Sequence, residues 1–226
     1  MNTLLLPGMD GTGTLFGRFA SCLDPRWVPH VVSYSRDEPS SYDELLDRVP
    51  LPSGRFVLIA ESFSGPLAIR LAARHPERVG ALVLVATFVT NPSRLAAWGR
   101  PWLRDAAFRM RLPDVALRFG LLGFDASEEE LVAVREAIET IAPHVLAKRL
   151  REIVAVDVRE AFRGLLVPTL YVAGRRDRLV GRRARAEIGA LRPEVSVVEL
   201  DAPHLVLQRK PRESASAISR FLSAAT

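Results

Sequence analysis

Six short apolar runs punctuate the chain: TLLL (3–6), HVVSY (30–34), FVLIA (56–60), ALVLVA (81–86), TLYVAG (169–174) and SVVEL (196–200). They lack in–out alternation and are bounded by turn-forming residues, which predicts strands covered on both faces. Between most of them lie amphipathic stretches of helical period, at 14–23, 41–49, 65–75, 182–191 and 211–223. Strand and helix alternating in this way predict an α/β fold: a mostly parallel, six-stranded sheet with helices on both faces. Ligands of such sheets bind beyond the carboxyl ends of the strands, so candidate chemistry is sought there.

The alternation lapses between ATFVTNPSR and VPTLYVAG, where helical patterns continue without a convincing strand. SEEELVAVREAIETI is the clearest of them. Ser127 can cap it, Glu130 closes a capping box, and acidic residues fill the first turn. The expected organisation is a core formed by residues 1–90 and 164–226, interrupted by a helical cap at 91–163.

The third run leads into AESFSG and then the helical PLAIRLAARHPERV. This resembles the GxSxG turn that lifts a nucleophile between a strand and a helix, with Ala60 and Ser64 in the glycine positions. Two serines compete. With Ser64 as nucleophile the buried strand would extend through Glu61, at the cost of burying a carboxylate, and Pro66 would fall inside the turn. With Ser62, Glu61 is expected at the rim and Pro66 in the first helical turn, where a missing N–H is no loss. Ser62 is therefore the candidate nucleophile, against the plainer reading of a helix-capping serine.

A serine hydroxyl needs a base, and the base an orienting acid. Asp177, after TLYVAG, is the only acid between Glu160 and Glu187, and His204 lies in the loop after SVVEL. Of the other histidines, His75 ends a helix, His30 begins a strand and His144 lies in the cap. Negative charge on a reacting carbonyl oxygen calls for two backbone N–H donors. Phe63 follows the nucleophile, and Met9 lies in the glycine-rich loop LLLPGMDGTGTLF after the first strand. That loop also approaches the GxGxxG pattern of a dinucleotide site, with Asp37 as a ribose ligand, but Phe16 holds the third-glycine position.

Composition narrows the field. The chain has 226 residues, 48% hydrophobic, with no apolar run near the roughly 20 residues of a membrane helix. The N-terminus lacks a basic leader and Cys22 is the single cysteine, so a cytoplasmic protein without internal disulfides is expected. Net charge is +5, with 11 basic against 6 acidic residues beyond position 163. The cluster of Arg175, Arg176, Arg178, Arg182, Arg183 and Arg185 lacks interleaved aromatics, so a solvated face is favoured over nucleic-acid binding.

ESFSGPLAIRLAARHPERVGALVLVAT, VPTLYVAGRRDRLV and APHLVLQRKPRESASAISRFL together resemble the nucleophile, acid and histidine segments of the α/β-hydrolase fold family. The PGMDGTG loop is similar to a subgroup of esterases and acyltransferases that includes plant phytyl ester synthases. The chain departs from the family in having Pro7–Gly8 for the usual His–Gly pair, and in opening directly on the strand before that loop. The resemblance implies a catalytic triad of Ser62, Asp177 and His204. The expected activity is hydrolysis of a small carboxylic ester with an apolar acyl group, through an acyl-enzyme, without cofactor or metal. Acyl transfer or thioester hydrolysis by the same triad is the alternative, with a non-catalytic binding module or a dinucleotide-binding protein more remote. Trp98, Trp102, Phe108, Phe119 and Phe124 of the cap are candidates to line an acyl pocket, against plain helix packing.

Overall fold

The structure, a computed structural model, describes residues 1–92 and 111–225. Six strands form one sheet: β1 (Asn2–Leu6), β2 (Val28–Val31), β3 (Phe56–Glu61), β4 (Val79–Val85), β5 (Thr169–Gly174) and β6 (Ser196–Leu200). Their order is β2-β1-β3-β4-β5-β6, and every neighbouring pair is parallel. The order reverses between β1 and β3, the position at which open α/β sheets place ligands. Leu6 pairs with Ala60 there, so the chain segments leaving β1 and β3 emerge side by side.

The central strands are buried on both faces, and their side chains divide between two cores with period two. Phe56, Leu58 and Ala60 of β3 join Leu82 and Leu84 of β4 on one face. Val57 and Ile59 join Ala81, Val83 and Val85 on the other. The first face is covered by α2 (Tyr42–Arg48), α3 (Gly65–Arg74), α7 (Arg159–Arg163) and α8 (Gly181–Leu191). The second is covered by α1 (Gly17–Ala20), α9 (Val206–Arg209) and α10 (Pro211–Ala225). Between β4 and β5 the described residues form α4 (Asp114–Leu117), a π-helical turn at Arg118–Leu122, α5 (Glu128–Glu139) and α6 (Pro143–Ala155).

Local signals explain the helix starts. Ser41 with Glu44 and Ser127 with Glu130 form complete capping boxes on α2 and α5, and Pro66 and Pro143 occupy first-turn positions. Two expectations need correction. The strand expected at 30–34 lies at Val28–Val31, and both β2 and β6 are edge strands with exposed faces rather than covered ones. The helix expected over 14–23 is a 3-10 turn at Thr14–Phe16 followed by the short α1, the break falling at Gly17, a weak helix former. No helix among the described residues is long and apolar enough to cross a membrane.

Candidate active site

β3 ends at Glu61, and the chain turns at once through a single 3-10 turn, Ser62–Ser64, into α3. Ser62 has φ +48°, a left-handed conformation that a non-glycine residue holds only when its surroundings impose it. Those surroundings are tight. A Cβ built on Gly65 would lie 2.0 Å from Thr87 Oγ1, which explains why the glycine of this turn stands three places after Ser62.

Ser62 Oγ and His204 Nε2 are 2.9 Å apart, and His204 Nδ1 is 3.0 Å from Asp177 Oδ2. Asp177 Oδ1 accepts from the N–H groups of Leu179 (2.9 Å) and Val180 (3.1 Å). With Asp177 as acceptor, Nδ1 carries the imidazole proton and Nε2 is free to accept from the serine hydroxyl. Burial pushes Asp177 up, but the His204 charge, its hydrogen bond and those two N–H groups outweigh it and leave the carboxyl below its ordinary range. Burial pushes His204 down, yet Asp177, aided by Glu61, holds the imidazole above its ordinary value.

Ser64 is occupied elsewhere. It donates to the Pro7 carbonyl, which spends its one hydrogen, so Tyr34 OH is the donor in the 2.6 Å contact with Ser64 Oγ. Glu61 corrects the reading that placed it at the rim: it closes β3 and is 2% exposed. Gln208 Nε2 donates to its Oε2 at 3.0 Å, and its Oε1 has no hydrogen-bond partner among the described residues. Burial pushes this carboxyl up to about 7, against opposing pulls from Gln208 and His204.

Phe63 N–H belongs to the first helical turn, where no carbonyl lies one turn back to receive it. Phe63 is held by stacking on Tyr42 at 4.8 Å, and Tyr42 OH donates to its carbonyl at 2.7 Å. The Pro7–Gly13 loop passes against the same turn: a Cβ on Gly8 would be 3.9 Å from Ser62 Cβ. Met9, Gly8, Ser62 and His204 line a cavity of about 300 Å³. Its walls are apolar: Leu15, Phe88, Leu121, Val134, Ile138, Leu146, Leu150, Ile153 and Leu205.

Of the cap aromatics named from sequence, Phe119 and Phe124 do not line this cavity; they are 56% and 58% exposed, and Arg178 stacks on Phe119 at 4.3 Å. Trp98, Trp102 and Phe108 lie outside the described residues. The share of the wall drawn from α5 and α6 is instead aliphatic, Val134, Ile138, Leu146, Leu150 and Ile153, a pattern readable as an ordinary amphipathic stripe. A larger groove of about 1230 Å³ opens at the amino ends of β3–β5, with no serine, cysteine or histidine in its lining. Among the described residues, no group of three or more His, Cys, Asp or Glu is placed to hold a metal ion.

A family model described as alpha/beta hydrolase fold matches residues 44–211. The biotin biosynthesis bifunctional protein BioHC of Teredinibacter turnerae is 31% identical over 75% of the chain, which spans about a third (33%) of that protein's length. The pimeloyl-[acyl-carrier protein] methyl ester esterase of Klebsiella pneumoniae is 29% identical over 80% of the chain and 78% of its own length. Among solved structures, a thermophilic esterase from Thermogutta terrifontis superposes with TM-score 0.86 at 19% identity, covering 100% of this chain and 90% of that one. The enol-lactonase of Burkholderia xenovorans LB400 gives 0.80 at 19% identity, over 98% and 91%.

Proposed function

This chain belongs to the α/β-hydrolase fold family and is a carboxylesterase-like hydrolase, and from that premise we propose that it cleaves a carboxylic ester through an acyl-enzyme on Ser62. The observation that carries the reading is the unbroken chain Ser62 Oγ–His204–Asp177 at the wall of an apolar cavity. Ser62 Oγ attacks the ester carbonyl as His204 Nε2 takes its proton. Asp177 holds the imidazole in the tautomer this requires and offsets the charge it acquires. The tetrahedral oxyanion accepts from the N–H groups of Phe63 and Met9, each contributing about 3 kcal/mol. Collapse expels the alcohol, which leaves with the proton from His204, and water activated by the same base then releases the acid.

The aliphatic walls from α5 and α6 would receive an acyl or alkyl group, which gives residues 91–163 the role of a cap. A fluorophosphonate probe tests the nucleophile: labelling should be lost in Ser62→Ala and kept in Ser64→Ala. Equal labelling of wild type and Ser62→Ala would sink the assignment.

The substrate reading has a more specific form. Relatives named pimeloyl-[acyl-carrier protein] methyl ester esterase align over most of both chains, 80% and 78% for one and 97% and 94% for another. A methyl ester on a carrier-linked acyl chain is the substrate class this favours. Release of methanol with the carrier thioester intact supports it. Cleavage of p-nitrophenyl esters with no turnover of the carrier-linked methyl ester would return the reading to a general carboxylesterase.

A further inference from the structure

The loop after β1 is held at every carbonyl from Pro7 to Gly11. Pro7 O accepts from Ser64, Gly8 O from Gly11 N at 3.0 Å, and Gly11 O from Tyr34 N at 2.7 Å. The two between them are taken by one side chain. Arg149 Nη1 donates to Met9 O (2.9 Å) and Asp10 O (2.8 Å), while Nη2 donates to Ser35 O (2.8 Å). The guanidinium lies 5.7 Å from the Tyr34 ring centroid.

Arg149 belongs to α6, 140 residues from Met9 in sequence, and is 3% exposed. Burial pulls its pKa down, opposed by the Asp10 charge, so the cation is held there at a cost. Gly11 accommodates it: at φ +68°, a Cβ would fall 2.6 Å from Arg149 Nη1. The helix that carries Arg149 is itself tied to the core. Ala142 N donates to Arg36 O (2.9 Å), and Glu152 Oε2 accepts from Tyr42 N (2.9 Å).

We propose that Arg149 is the positioning residue of the oxyanion site: by clamping the Met9 and Asp10 carbonyls it orients the Met9 backbone toward the oxygen of the reacting ester. The peptide planes on both sides of Met9 are then fixed, one by Gly11 N–H on Gly8 O and the other by Arg149. The Asp10 carbonyl shares its peptide plane with the Gly11 N–H that holds Gly8 O, and Gly8 O shares its plane with the Met9 N–H, so loss of Arg149 leaves the loop intact as a chain but loosens the bond that fixes the donor. A donor misplaced by about 1 Å can lose on the order of a hundredfold in rate. The assignment rests on the acyl-enzyme reading above, and its test separates the two.

Steady-state kinetics of Arg149→Met should show kcat reduced ten- to a hundredfold with KM within threefold. Arg149→Lys, which keeps the charge and can reach one carbonyl, should recover part of the loss. Added methylguanidinium should restore kcat of Arg149→Ala with saturation. Amide exchange should rise over residues 7–13 and not over β3. Retention of kcat within twofold in Arg149→Met overturns the proposal. So does a loss shared between kcat and KM that neither lysine nor methylguanidinium repairs, with exchange raised throughout the sheet. If Arg149→Met fails to fold, the Arg149→Lys ratio and the methylguanidinium titration decide. Ser62→Ala, assayed alongside, reports on the nucleophile alone: turnover surviving there removes the acyl-enzyme reading, while the loop exchange still judges Arg149.

Discussion

Glu61 offers a test in which the structure supplies both sign and size. Its carboxyl is buried at the end of β3 with Gln208 on one oxygen and, among the described residues, no partner on the other, and burial raises its pKa from 4.5 to about 7. A carboxyl whose folded value lies above its unfolded one binds more protons in the folded state across that interval. Stability therefore falls as pH rises from 4.5 to 7 and stays reduced above. The interval of about 2.5 units corresponds to about 3 kcal/mol at 1.36 kcal/mol per unit. Glu61→Gln removes the titration. Its amide brings a pH-independent change of about 1–3 kcal/mol, because one N–H meets the unpartnered position. The decisive quantity is thus the change in ΔΔG with pH. The groups that bear on it are Gln208 and His204, which pull the pKa down, and Asp10, which pushes it up. His204 is present in both proteins, so most of its own linkage cancels. Urea denaturation followed by far-UV circular dichroism, from pH 4 to pH 9, should show the variant gaining about 3 kcal/mol relative to wild type. A difference that stays flat within about 1 kcal/mol would refute the reasoning and place the Glu61 pKa near its unfolded value.

Other outcomes follow from the same site. In the proposed mechanism His204 must be neutral to accept the serine proton, and its pKa is raised, so kcat/KM should climb along a limb centred above pH 6.5; a limb below that value contradicts the Asp177 contact. The same shifts act on stability. His204 contributes below pH 6.5 and loses its contribution as pH rises through its folded value, whereas Asp177 contributes above pH 3.8 and loses it as pH falls. Gly65→Ala drives a Cβ into Thr87 and should cost about 3 kcal/mol, roughly 6–12 °C in Tm by calorimetry, where an unchanged Tm would show that the α3 contact yields. Ile138→Trp fills the aliphatic cavity and should spare acetyl esters while lowering kcat/KM for octanoyl esters about tenfold; equal loss on both would remove that wall from the acyl site.

What could be read from the chain, and what could not, follows from the kind of interaction involved. β1, β3, β4 and β5 were legible because a strand covered on both faces is apolar at most positions, and a near-continuous run records that directly. β2 and β6 lie at the edges with exposed side chains; SVVEL still located β6, whereas HVVSY mislocated a strand that pairs at Val28–Val31. Ser62, Asp177 and His204 were singled out because each is a distinctive residue following its own strand, and the fold sets His204 2.9 Å from Ser62 and 3.0 Å from Asp177. Glu61 misled for a physical reason: burying a carboxylate is costly, but Gln208, 147 residues away, relieves the cost and no local pattern announces it. Arg149 left one trace, a cation at an apolar position of α6 among Val145, Leu146, Leu150 and Ile153. Its acceptors left none. Every residue of a chain carries a carbonyl, so a side chain that acts by holding Met9 O, Asp10 O and Ser35 O has partners with no sequence signature. Residues that bind backbone are therefore where a functional site extends furthest beyond its readable motif, and a buried arginine without a carboxylate on its guanidinium is the form in which the structure reveals it.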